Sequence, residues 1–545
     1  LQKRWLTSYD PGVPHSLEYP EVPLYSAFLE RAGEHPDAEA LVFGDSRRTY
    51  GSLAGEVRDF AAGLNAYAPA RKGDRVGIFL PNCPEMVVAY YGVLMTGASA
   101  VMLSPELVER ELADMVAGTA VRTLVCPDEY LPRLATAVRE AGLERAVVTP
   151  RGDRQTGGIP ASSTPSVPGL ETVSFSSLVQ AGAAEPAAHG MAPDGAATDP
   201  REDVAVLIYT GGTTGMPKAV MLTHFALVAN ATQLASWVSL GPGDVALAVL
   251  PMYHSYGMST GMNAPLLAGS SVVVLPDGEP GAMLEAIERE RPTLLVGVPA
   301  MFAALVDHPR VGEADLSSLK YCFVGAATLP RDVRARFEEL SGAALLEGYG
   351  LTEAVTAQSA GPARGARKPG SIGIPFPDVE FRVVDIETGT KELLPEKAGE
   401  LIMMSPCLMK GYHDRPAETA KAIRDGWLFT SDIGWMDHDG YFYVIDRKKD
   451  LVISGAFKAY PAEVESVLLT HPDIVEAAVV GLFDDFRGHS LKAFVVLEEG
   501  AELTAEEVLQ FCRQNMSEYK VPRAVEFRTE LPRSSFGKIL RRELE

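Results

Sequence analysis

A glycine- and threonine-rich run, Tyr209-Thr-Gly-Gly-Thr-Thr-Gly-Met-Pro-Lys218, carries the densest set of anion-binding groups in the sequence. Gly211, Gly212 and Gly215 leave backbone N–H groups open to an anion. Thr210, Thr213 and Thr214 add hydroxyl donors, and Lys218 adds a positive charge. The run reads as a phosphate cradle. It is not a Walker A loop, because Ala219 follows the lysine where Ser or Thr would stand. The apolar run 204–208 in front of it reads as a buried strand, which puts the cradle at a strand's carboxyl end.

Four more constellations could serve the same ligand. In Glu347-Gly-Tyr-Gly-Leu-Thr-Glu353, Gly348 and Gly350 expose backbone around Tyr349, whose ring can lie on a purine. Thr352 can donate to a phosphate oxygen, and Glu353 suits Mg²⁺, which takes carboxylate and phosphate oxygens. A capped turn with a solvated acid is the competing reading. Asp432 stands fifteen positions before Arg447; a carboxylate bidentate to a ribose diol, shared with a guanidinium, competes with a plain surface ion pair. His254, flanked by Tyr253 and Tyr256 in Pro251-Met-Tyr-His-Ser-Tyr-Gly257, lines a substrate entrance or is a satisfied buried histidine. Lys538, with room beside it at Gly537, can reach a carboxylate and an α-phosphate together; the alternative is a basic tail on an acidic protein.

The elements that must position these groups alternate. Leu24–Glu34 reads as an amphipathic helix, and 40–43 with 48–50 as a short hairpin around Gly44 and Asp45. Strands at 75–80, 98–101, 123–126 and 145–148, with a helix over 83–95, predict a layered α/β domain. Residues 151–200, rich in Gly, Pro, Ser, Ala and Thr, read as surface loop of low order apart from an apolar patch near Val173. Alternation resumes with strands at 245–250, 271–274, 294–298 and 321–324, and then 381–384 and 400–403 begin a β-rich region. The charges of Asp446-Arg-Lys-Lys-Asp450 favour an exposed segment and a domain boundary. Beyond them, strands at 451–454, 476–481 and 492–497 and helices at 462–469 and 504–515 make a small α/β domain.

The 545 residues suffice for several packed units, and the net charge of −23 opposes nucleic acid and anionic membrane surfaces. Five cysteines without regular spacing argue against a disulfide scaffold or structural zinc and point to a reducing cytoplasm. The segment 245–276 lacks charged residues, yet prolines, glycines and polar residues break it, so it reads as strand, loop and helix instead of a membrane span. No secretory signal opens the sequence.

These motifs, in this order, resemble the adenylate-forming superfamily of acyl-CoA synthetases, luciferases and peptide-synthetase adenylation domains. Within it the sequence is similar to bacterial medium- and long-chain fatty acyl-CoA synthetases. The likeness runs from about Tyr19 to the end, excepting 151–200. It implies a large AMP-binding domain over 1–446, of layered α/β subdomains plus a β-rich subdomain. A hinge at 447–450 pivoting on Lys449 and a small mobile α+β domain over 451–545 follow. Thr210 to Gly215, Lys218, Gly325, Ala326, Ala327, Glu347 to Gly350, Thr352, Asp432, Arg447 and Lys538 would bind ATP or AMP, with Glu353 on Mg²⁺. Lys538, His254, Thr210 and Lys218 would be catalytic. Tyr253, His254, Ser255, Tyr256, Gly325 and Tyr349 would line the acyl pocket, and Gly455 and Ala456 the CoA channel. Departures from the family pattern are Gly212 for serine, Ala219 for glycine, Ala456 for glycine and Arg533 for lysine.

The chemistry so implied is carboxylate plus ATP to acyl-AMP and pyrophosphate, then thioester formation with CoA, on a medium- or long-chain fatty acid. Amino acids are disfavoured, because Tyr253-His254 supplies no carboxylate for an ammonium. An aryl acid, a carrier-protein acceptor, a luciferase-like oxygenase and a non-catalytic nucleotide-binding module are the alternatives. Membrane contact would be peripheral, and monomer and homodimer both stay open.

Overall fold

The computed structural model describes residues 3–69, 71–150, 166–184, 198–210, 217–448, 452–454, 457–484, 488–498, 500–516, 520–533 and 539–544. Among the described residues the strands form two large sheets, a five-stranded sheet and two small C-terminal sheets, with helices packed between and around them. This is the large α/β part with a β-rich subdomain and a smaller α+β part that the sequence implies.

The nine-stranded sheet sets the stage for chemistry. Six neighbouring strands are parallel, in the order Ala344–Gly350, Tyr321–Val324, Leu294–Gly297, Val245–Ala248, Ser271–Val274 and Glu39–Phe43. Their near-continuous apolar runs are those of strands covered on both faces. Parallel register places the carboxyl ends together, so the segments after Ala248, Gly297, Val324 and Gly350 emerge side by side. In the eight-stranded sheet, Val204–Thr210 lies parallel to Ser99–Met102 and turns back as Lys218–Thr223, which also pairs with Gly411–Tyr412. The five-stranded sheet carries Trp427–Met436 against Phe442–Arg447.

Most of the expected elements stand within a residue or two of their predicted limits. The charge-free segment 245–276 holds a strand, a π-helical turn Gly257–Asn263, the helix Ala264–Ala268 and a second strand. No helix among the described residues is long and apolar enough to cross a membrane. The five cysteines are buried, and none forms a disulfide among the described residues.

Two expectations need correction. Part of 151–200 is built structure. Glu171–Ser174 joins the sheet edge parallel to Arg145–Thr149, and Ser174 caps the helix Phe175–Ala183 by accepting from the Ser177 N–H. That helix lies on Tyr50–Tyr67 so closely that a Cβ at Gly182 would sit 1.8 Å from the Asp59 carbonyl oxygen, and one at Gly63 would sit 2.1 Å from that of Leu178. A composition reading cannot see this, because two distant glycines create the contact. The second correction concerns the charged run after the β-rich region. Asp446 is buried, and its carboxylate accepts from the N–H groups of Arg447 and Ala462 and from Arg541. Lys448 reaches the buried Glu400 at 2.7 Å. These charges are paired with interior partners instead of being spread through solvent.

Gly182→Val will force the two helices apart and lower stability by more than about 2 kcal/mol. Denaturant unfolding measures this, and a midpoint equal to the parent's overturns the packing described.

Candidate active site

The strand ends gather three polar groups. The first is built on the hairpin of Trp427–Met436 and Phe442–Arg447, in which Asp432 and Arg447 are directly opposite residues. Fifteen positions of sequence thus become one cross-strand step. Arg447 Nε lies 2.6 Å from Asp432 Oδ1, and the Tyr349 hydroxyl donates to Asp432 Oδ2. The Asp432 side chain is only 4% exposed against 42% for Arg447, so the pair is a buried anion under a half-exposed cation, not a surface ion pair. Burial first, and the Asp432 charge second, hold the Tyr349 hydroxyl protonated far above neutral pH. Its ring meets Phe381 edge-on at 6.1 Å.

The glycines around Tyr349 answer to packing. A Cβ at Gly350 would lie 1.9 Å from the Thr356 carbonyl oxygen, and one at Gly348 would lie 2.8 Å from that of Ser359. The antiparallel strand Ala357–Ala360 therefore requires both glycines. Glu347 is buried and paired with Arg334, with the Leu329 and Gly370 N–H groups also donating to it. Its carboxylate is occupied by these protein partners.

The second group links the phosphate-cradle hairpin to the turn Thr352–Ala354. Thr210 Oγ1 donates to the Lys218 carbonyl at 3.4 Å. Lys218 Nζ stands 2.6 Å from Glu418 Oε2 and 4.8 Å from the Tyr412 ring centroid. The Tyr412 hydroxyl donates to Glu353 Oε1 at 2.9 Å. Burial, then the Glu353 charge, raises the Tyr412 hydroxyl well above its ordinary pKa, so it stays a donor. Lys218 lowers the pKa of Glu418, first through its hydrogen bond. Glu418 carries no sequence signal; the pairing of Gly411–Tyr412 with Lys218–Thr223 brings it and Tyr412 beside the cradle hairpin.

The third group lies after Ala248. Ser255 Oγ and Thr352 Oγ1 are 3.2 Å apart, which joins the histidine segment to the nucleotide-type turn. His254 Nδ1 accepts from the Tyr256 N–H, so the imidazole carries its hydrogen on Nε2. Burial pushes its pKa down to about 4. Tyr256 lies across the end of Tyr321–Val324. A Cβ at Gly325 would be 3.1 Å from its ring, so a larger residue there would push the ring back by a few tenths of an ångström. Ala326 follows with φ of 72°, and Ala326 and Ala327 are exposed. Tyr253 is half-buried. Gly211, Gly212, Thr213, Thr214, Gly215, Lys449, Gly455, Ala456 and Lys538 lie outside the described residues.

The AMP-binding enzyme family matches residues 28–413, and the AMP-binding enzyme C-terminal domain matches residues 463–538. The chain is 39% identical to a long-chain-fatty-acid–CoA ligase of Bacillus subtilis strain 168, over 100% of this chain and 98% of the relative. It is 35% identical to a feruloyl-CoA synthase of an Amycolatopsis species, over 95% of this chain and 97% of the relative. A crystal structure of an anthranilate CoA ligase in complex with anthranoyl-AMP superposes with a TM-score of 0.83 at 26% identity, covering 96% of this chain and 97% of that one. Nucleotide-type turns at parallel strand ends and the two matched families converge on one conclusion: the chain belongs to the adenylate-forming, AMP-binding enzymes and is an ATP-dependent acid–thiol ligase that makes an acyl-adenylate and then an acyl-CoA.

Proposed function

We propose that these three groups form one active site for a carboxylic acid with an uncharged tail, with Asp432 and Arg447 on the ribose hydroxyls and Tyr349 beside the base. The observation that carries this reading is the placement of Tyr349, Thr352 and Glu353 at one strand end, bonded in turn to Asp432, Ser255 and Tyr412. Residues 210–218 cradle the phosphates. A triphosphate, of higher charge than one carboxylate, draws Lys218 away from the half-exposed Glu418. Gly325, Ala326 and Ala327 flank the nucleotide, while Tyr253, His254, Ser255 and Tyr256 bound the acid.

Mg²⁺ would be held by Glu353, whose carboxylate Tyr412 orients through one oxygen. When bound there, the ion neutralises phosphate charge. The acid's carboxylate attacks the α-phosphorus of ATP, releasing pyrophosphate, and the CoA sulfur then displaces AMP from the acyl carbon. Charge collects on phosphoryl oxygens, so the protein's part is held donors and cations. Lys538 supplies one of them in the first step. Family matches ending at 413 and resuming at 463 support a division near 447–450 with Lys449 as pivot and residues from 451 on as the mobile unit. Gly455 and Ala456 then border the CoA channel.

The fatty-acid expectation widens here to an uncharged tail, aryl or fatty. The ring-lined approach through Tyr253 and Tyr256, together with likeness to feruloyl and anthranilate ligases, supports an aryl acid. The 39% identity to a long-chain ligase supports a fatty acid. Pyrophosphate release and CoA thioester formation across C4 to C18 fatty acids and a set of benzoic and cinnamic acids will test both. Failure to convert ATP to AMP with every acid overturns the proposal.

Lys538→Ala will slow adenylation by roughly 10²–10³-fold, and will slow thioester formation from supplied acyl-AMP much less, because that step follows the small domain's rotation. Equal losses in the two half reactions refute the role.

His254 is neutral wherever the pH exceeds about 4. The kcat/KM profile between pH 5 and 8 will therefore contain no His254 step, and His254→Asn will rescale it without changing its shape; a step near 6.5 that vanishes in the variant contradicts this. Because its folded pKa is depressed from 6.5 to about 4, the unfolded chain takes up the proton first. Stability is full above about pH 6.5 and falls as pH drops towards 4, by about 1.4 kcal/mol for each unit separating the two pKa values.

A further inference from the structure

Trp5, in the N-terminal segment, takes no part in the site described above, yet it ends a row of rings that leads into it. The side chain is buried at 4% exposure. Its ring meets Phe442 at 5.9 Å and Phe442 meets Phe381 at 5.3 Å, both edge-on. Phe381 meets Tyr349 at 6.1 Å and 90°, and Tyr349 donates to Asp432. Phe442 is also the first residue of the strand Phe442–Arg447.

The backbone at Trp5 occupies the turn that joins the two strands bearing Asp432 and Arg447. A Cβ at Gly440 would lie 2.5 Å from the Trp5 nitrogen, and Gly440 has φ of 88°. Arg4 donates to the His438 carbonyl at 3.4 Å, and Lys3 pairs at 3.2 Å with Glu380 on Glu380–Val384, a strand of the same sheet. Trp5, Phe381, Met436 and Phe442 help to line a cavity of about 10 Å³, room for about one water.

We propose that Trp5 is a positioning residue for the nucleotide's ribose. Through Phe442 and Phe381 it sets where Tyr349 meets Asp432, and through the Gly440 turn it holds the hairpin that presents Arg447 to Asp432. The inference rests on the reading of Asp432 and Arg447 as the ribose site. A packed row of rings transmits a displacement that a loose one would absorb, and diol recognition tolerates errors of only about 0.5 Å.

The test is pyrophosphate release by the full chain with ATP, 2′-deoxy-ATP and 3′-deoxy-ATP, for the parent and for Trp5→Ala, Trp5→Phe, Tyr9→Phe and Asp432→Ala. Trp5→Ala will raise KM for ATP by about 3- to 10-fold, change kcat less than two-fold, and shrink the preference for ATP over both deoxynucleotides by a similar factor. Trp5→Phe will restore most of the preference. Tyr9→Phe removes a bond from the same segment to the Pro375 carbonyl, outside the row of rings, and will leave the preference unchanged. A merely structural Trp5 would lower the active fraction for all three nucleotides alike, and an unaltered preference in Trp5→Ala overturns the proposal. If Trp5→Ala does not fold, Phe442→Leu reads the same ratio from the middle of the row. A parent-like preference in Asp432→Ala instead refutes the ribose reading itself, whatever Trp5 does.

Discussion

A carboxylate taken out of water costs several kcal/mol unless a partner meets it with good geometry. Asp432 is such a group, and the hairpin around it is organised to meet that demand. Arg447 is its cross-strand neighbour, Tyr349 donates from a different sheet, and the Asp432 N–H is itself held by Thr430 Oγ1. Removing one member of a buried pair is far more damaging than never having built it. The register of two strands, the placement of the Gly-Tyr-Gly strand end and the packing of Phe381 are thereby bound to a single charge.

The same economy of charge continues past the hairpin. Three consecutive charged residues go to three separate interior partners: Asp446 to Arg541 and the start of Pro461–Leu468, Arg447 to Asp432, and Lys448 to Glu400. Arg541 also grips Glu465 through two nitrogens, while burial raises the pKa of Glu465. Interior charge pairs fix direction and register more than they add net stability, which suits the place where the chain leaves the β-rich subdomain. On the other side of the site, Lys218, Tyr412 and Glu353 form a run of alternating cation, phenol and carboxylate whose members come from a hairpin, an edge strand and a strand-end turn.

Much of this was legible along the chain, and the reasons are local. Continuous apolar runs such as 204–208 and 321–324 mark strands covered on both faces, and these strands stand where expected. The spacing of residue types in Tyr349 to Glu353 and in the Asp432 segment pointed to a nucleotide because donors, a ring and carboxylates occur together at strand ends. The helix Phe175–Ala183 escaped notice because its surroundings are poor in apolar residues, and its fit depends on Gly63, more than a hundred residues away. Glu418 and Arg541 went unread for a similar reason: an acid or a cation has no meaning until its partner is known.

Sequence alone determined which chemistry the protein carries, since residue types and their short-range order decide which strands form and which loops expose backbone donors. The tertiary structure alone decided what each polar group is for. It showed that the glycines beside Tyr349 make room for another strand, that Glu347 is spent on Arg334, and that Asp432 is a buried anion instead of a surface acid. Desolvation and close approach arise only when distant segments are pressed together, so neither is written in the order of residues.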